Sequence, residues 1–134
     1  MRPIDAQAAT VYQLDIVLTA DHLISVGRLD EFLFPAGRYV YTGSARRNLD
    51  ARVRRHLSRD KKQRWHIDYL LMAGEAEVVG VRLFEDGECV VNQATEGVVV
   101  APGFGASDCR SRCGSHLKYC GRSECLAVSA NVHL

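Results

Sequence analysis

No stretch of this 134-residue chain approaches the roughly 18 consecutive apolar residues that a membrane-crossing helix requires. Met1 to Thr10 holds no long apolar core, so no secretory leader is expected. Internal repeats and low-complexity segments are absent too. With 47% apolar and 25% charged residues, neither a collagen-like nor a globally disordered chain fits. Five cysteines without a leader suit a reducing compartment better than a disulfide framework. The expectation is one cytoplasmic domain with a single core, spanning residues 1–120, followed by a loose tail over 121–134.

Net charge is also nearly absent, at +1, but the balance is local. Nine basic residues fall between Arg46 and Arg64: Arg46, Arg47, Arg52, Arg54, Arg55, Arg59, Lys61, Lys62 and Arg64. Only Asp50 and Asp60 oppose them, giving this window +7 and leaving −6 for the remainder. A charge run is ordinarily a solvated helix face. Concentrated as it is here, it points to a polyanionic partner.

Thr10 to Leu18 alternates, with Tyr12, Leu14, Ile16 and Leu18 on one face and Gln13 and Asp15 on the other. Period two predicts a strand. A turn at Thr19-Ala20-Asp21 leads to a second short strand over 22–28, and the two are expected to form a hairpin. Arg38 to Thr42 carries Tyr39, Val40 and Tyr41, residues that suit a pleated surface, and predicts a third strand ended by Gly43-Ser44-Ala45. Asn48 is placed to cap the next helix. Leu49, Val53 and Leu57 form its apolar face, with Arg52 and His56 at the border of that face. A second helix is expected from Trp65 to about Ala73, a fourth strand from Glu77 to Phe84, and a short helix from Glu88 to Glu96. Pro102 to Gly105 reads as loop, and the stretch through Leu134 is undecided. This order predicts an α+β fold, a small, mainly antiparallel sheet of three to four strands flanked by helices.

Three features carry chemistry in sequence order: Thr10-Val11-Tyr12, Tyr41-Thr42-Gly43, and Leu49-x-x-Arg52-x-x-x-His56. Together they resemble the GIY-YIG nuclease family. The string from Gly37 through His56 is similar to a little-characterised branch of that superfamily, some members of which are fused to endonuclease III-like repair enzymes. Trp65 to Leu71, Pro102 to Cys109 and Ser115-His116-Leu117 are further marks of the branch. The resemblance covers Thr10 to Tyr119. It implies that the two tripeptides lie on neighbouring strands and that the helix arginine faces the same cleft.

Phosphodiester hydrolysis needs an activated water, neutralised phosphate charge and a stabilised leaving oxygen. An arginine fork matches phosphate oxygens and stays charged. A divalent cation supplies Lewis acidity and a low-pKa water. The resemblance implies that Tyr12 and Tyr41 contact or deprotonate the water and that Arg52 holds the phosphate. His56 would be a second phosphate or water contact, and Glu88 would bind Mg²⁺ or Mn²⁺. Glu88 begins a predicted helix, where a carboxylate is favoured. Arg46, Arg47, Arg55, Arg59, Lys61, Lys62 and Arg64 are the expected nucleic-acid contacts. The expected activity is endonucleolytic, in DNA repair or processing, with DNA ahead of RNA as partner and a second protein supplying targeting.

Two alternatives stand beside it. The first tripeptide lacks a leading glycine and Thr42 occupies the centre of the second, which motivates a binding module on the same fold with little catalysis. Separately, Cys109-x3-Cys113-x2-His116-x3-Cys120-x4-Cys125 is a dense run of soft ligands. Zinc takes about four such ligands, so Cys109, Cys113 and His116 are a candidate zinc or thiol site, although the spacing matches no standard zinc knuckle. Cys109 with a histidine could otherwise form an activated thiolate pair. Partly buried thiols with no further role are the plain alternative.

Overall fold

A computed structural model describes residues 9–45, 47–58, 65–105 and 113–121. The element order is β1 (Val11–Leu18), β2 (His22–Val26), β3 (Asp30–Phe34), β4 (Gly37–Ser44), α1 (Leu49–Leu57), α2 (His66–Leu71), β5 (Ala76–Phe84), α3 (Glu88–Ala94) and β6 (Leu117–Gly121). Four strands form one antiparallel sheet in the order β5-β1-β4-β6, and β2 and β3 form a separate two-stranded ribbon. The fold is α+β. Among the described residues no helix is long and apolar enough to cross a membrane.

The alternation in β1 decides which side chains meet. Tyr12, Leu14, Ile16 and Leu18 join Tyr39, Tyr41, Phe34 and Phe104 in the core, together with Ile67, Leu70 and Leu71 from α2. Gln13, Asp15, Val40 and Thr42 alternate to the opposite face of the sheet. That face is covered as well: Gln13 donates to Thr42 at 3.0 Å and to Thr95, just past α3, at 2.7 Å. Asp15 pairs with Arg82 of β5 at 2.7 Å. Burial pushes the Asp15 carboxyl above its usual range, and the Arg82 guanidinium only partly offsets this.

Four expectations need correction. First, β1 and β2 do not form a hairpin. Both edges of β1 are occupied by the longer strands β4 and β5, while β2 pairs with β3, of equal length, through a turn in which Gly27 takes a left-handed φ of 51°. Second, Asn48 does not cap α1 with its side chain, because its own backbone is left-handed at φ 56°. Third, Leu57 is 46% exposed, and His56 takes the inward position at 2%. Fourth, residue 121 is not tail: it ends β6, whose residues pair with β4 from Arg38 to Tyr41.

Candidate functional site

The register of β1 against β4 sets the first half of the site. Tyr12 stands opposite Gly43, and Leu14 opposite Tyr41. The tripeptides therefore lie on neighbouring, directly paired strands, as the resemblance implies. A Cβ on Gly43 would sit 2.5 Å from the Tyr12 hydroxyl oxygen, so glycine is required there to clear room for the phenol. Across from it, the last turn of α1 delivers His56, whose Nε2 lies 2.6 Å from the Tyr12 hydroxyl. The Tyr41 ring completes a triangle, with centroids 6.4 Å from Tyr12 and 6.2 Å from His56.

Ser44 organises the second half. Its hydroxyl donates to Glu88 Oε1 at 2.8 Å, and its carbonyl accepts from the Arg52 guanidinium at 2.7 Å. Glu88 Oε2 is 2.7 Å from His116 Nδ1, in the segment leading into β6. One serine thus brings a permanent cation and a carboxylate side by side at the end of β4. Arg52 also lies 4.7 Å from the centroid of the Trp65 ring, a cation–π contact.

The ionisation states follow from this packing. Burial drives the Tyr12 hydroxyl well above its ordinary range, with the nearby Arg52 charge pulling partway back and Glu88 adding to the rise. Burial does the same at Tyr41. Burial would also raise Glu88, but hydrogen bonds from His116 and Ser44, with the charges of His116 and Arg52, outweigh it. The carboxyl is held below its usual range and is ionised at neutral pH. A carboxylate's two oxygens offer about four acceptor positions. Ser44 and His116 occupy two of them, which leaves room for a hard cation.

Arg55 is arranged differently. Its guanidinium makes two parallel bonds to Asp68, both 2.9 Å, and lies 4.2 Å from the centroid of the same Trp65 ring. Asp68 is fully buried and also accepts from the backbone N–H of Trp65 at 2.9 Å. Arg55 is therefore built into the joint between α1 and α2, and this fork is not offered to nucleic acid as the sequence reading expects.

A family comparison covers nearly the whole of this arrangement, matching residues 11–133 to a domain of unknown function, DUF123. The chain belongs to the DUF123 family. Neither a curated protein nor a solved structure matches it. The DUF123 match contains Tyr12, Tyr41, Arg52, His56 and Glu88, and it continues beyond β6.

In this DUF123 domain the five expected catalytic positions converge at one end of the β1–β4 pair. Arg47 is exposed nearby. Arg46, Arg59, Lys61, Lys62, Arg64 and Cys109 lie outside the described residues. Sequence reasoning missed Ser44, whose only signal was its place directly after the second tripeptide. It missed Asp68 as the partner of Arg55. Asn92 also went unassigned; its side chain donates to the Ser115 carbonyl at 2.9 Å and ties α3 to the segment carrying His116. The cysteine pattern is rearranged as well. Cys113 and His116 gather with Cys89 of α3, with one ligand atom from each within 4.8 Å of the others.

A cavity of about 950 Å³ lies elsewhere, lined by Gln13, Val40, Arg82 and Thr95 among others, and none of the five site residues borders it. It belongs to the Gln13 face of the sheet. Arg52 and Glu88, by contrast, are half-buried at the end of the strand pair.

Proposed function

We propose that this DUF123 domain hydrolyses phosphodiester bonds in nucleic acid with the help of Mg²⁺ or Mn²⁺, DNA being the first substrate to test. The observation that carries the reading is the Ser44 bridge. It holds Arg52 and ionised Glu88 together beside the hydrogen-bonded Tyr12–His56 pair. Few structural needs call for a charged fork, a carboxylate and a tyrosine–histidine pair at one strand end.

Glu88 would hold the cation, since Mg²⁺ binds through one or two carboxylates and keeps several waters. When bound, the cation supplies charge neutralisation and a water of lowered pKa. Arg52 donates to the Ser44 carbonyl and also hydrogen-bonds the Tyr12 hydroxyl, and a guanidinium has five N–H groups, so those remaining can take phosphate oxygens. The Trp65 ring lies against this guanidinium. Free tyrosinate at Tyr12 is disfavoured by burial. As the water oxygen bonds to phosphorus and the P–O bond to the departing strand breaks, the water gives a proton to the Tyr12 oxygen while Tyr12 gives its own to His56 Nε2. No naked phenolate forms, and the leaving oxygen takes a proton from solvent. Tyr41 shapes the wall against Tyr12, His56 and Phe104.

The test is incubation of the full chain with Mg²⁺ or Mn²⁺ and single-stranded, duplex and branched DNA and RNA. Cleavage is expected to fall at least about 100-fold in Arg52→Ala and in Glu88→Gln. No cleavage of any substrate, or equal cleavage by the variants, would sink the proposal. One observation favours a second reading, a binding module on the same fold: Tyr12 is only 1% exposed. That reading expects salt-dependent binding, unchanged by Glu88→Gln, with no cleavage to lose.

A further inference from the structure

Cys89, Cys113 and His116 come from two separate parts of the chain, the first turn of α3 and the segment before β6. Their ligand atoms lie within 4.8 Å of one another. In a tetrahedral zinc site, metal–ligand bonds of about 2.0–2.3 Å put ligand atoms roughly 3.5–3.8 Å apart. Small side-chain rotations close that gap. Cys89 and Cys113 are half-buried thiols, not joined in a disulfide. His116 is 2% exposed, and its Nδ1 is engaged by Glu88 at 2.7 Å. Nε2 is then the ring nitrogen that a metal would take. A carboxylate on the far nitrogen is the usual outer partner of a metal-binding histidine, since it fixes the tautomer and raises the basicity of the ligating nitrogen.

We propose that Cys89, Cys113 and His116 form a binding site for a soft divalent cation of the zinc class, with water at the fourth position. Two thiolates and an imidazole select such a cation over Mg²⁺ or Ca²⁺, which prefer oxygen. The site is distinct from the hard-cation position at Glu88 and does not depend on nuclease activity. Its effect is to staple α3 to the segment before Leu117, reinforcing the Asn92–Ser115 bond, and to hold His116 in the orientation that meets Glu88.

The test uses the full chain and cobalt(II) as a spectroscopic probe, with zinc as competitor. One equivalent of cobalt should give a thiolate-to-cobalt charge-transfer band that zinc removes. Cys89→Ser with Cys113→Ser should abolish it, and Cys120→Ser should leave it intact. Glu88→Gln should keep the band while weakening affinity about 10- to 100-fold. A missing band in the full chain, or one that survives the double substitution, overturns the proposal. Because that double variant could misfold, alkylation mapped by mass spectrometry serves in the unaltered chain. Zinc should protect Cys89 and Cys113 and not Cys120, and failure to protect those two overturns the site independently. None of these readouts involves cleavage, so they stand or fall apart from the nuclease proposal.

Discussion

Two arginines three residues apart on α1 share one tryptophan and have opposite fates. Arg55 is closed: both arms of its fork meet a fully buried carboxylate, which also accepts the first backbone N–H of the next helical segment. Arg52 is more open: it bonds a backbone carbonyl and the Tyr12 hydroxyl and, among the described residues, meets no carboxylate fork to fork, and its neighbour Glu88 keeps acceptor capacity. The difference separates charge that serves the fold from charge left open to a ligand. Net charge along the sequence cannot draw that line, because both residues add one unit to the same basic window.

The comparison can be broken first at its closed side. Arg55→Ala leaves Asp68 buried without its fork, and should cost about 3–5 kcal/mol of stability in denaturant titration. A loss under about 1 kcal/mol would mean that Arg55 is not structural. Arg52→Ala should do the reverse. Its stability should fall by only about 1–2 kcal/mol, from the lost hydrogen bonds and the Trp65 contact, while cleavage falls by the 100-fold given above, equivalent to about 2.7 kcal/mol of barrier. A third variant sharpens the boundary between them. Gly43→Ala forces the Tyr12 hydroxyl away from its place beside His56 and should destabilise by about 1–3 kcal/mol through overpacking. Tyr12→Phe in that background should recover part of the loss, since it removes the hydroxyl oxygen that the new methyl meets.

The smallest effect is a dependence on pH. Glu88 is depressed in the folded state, so its ionisation contributes stability above the ordinary carboxylate value near 4.5. That contribution disappears as pH falls through the lower folded value. The stability gap between the native chain and Glu88→Gln should therefore be constant near neutrality and narrow below about pH 4.5. A gap that widens on acidification would show that Glu88 is not held as a carboxylate.

Much of this was legible from local pattern. The period-two alternation of Tyr12, Leu14, Ile16 and Leu18 placed β1 correctly, because side-chain alternation is a property of one strand alone. The helical spacing of Arg52 and His56 placed both near the core border. What was not legible depended on distant partners. The pairing of β2 with β3, and not β1, is decided by β5, which arrives some fifty residues later and takes the free edge of β1. β6 is five residues long and ends in glycine, too little to announce a strand without β4 beside it. Ser44 looked like turn punctuation. Cys89 stood 24 residues upstream of Cys113 and so escaped a reading of the cysteine run that depended on spacing, although folding brings the two together.

The tryptophan between the two arginines is the sole one in the chain. Its emission is consequently an uncontaminated optical gauge, mounted by the protein itself at the seam between scaffold and site. A phosphate drawn onto Arg52, or release of Arg55 from Asp68, changes the field at the indole. Ligand arrival and loosening of the α1–α2 joint therefore both report through this one indole, without a label.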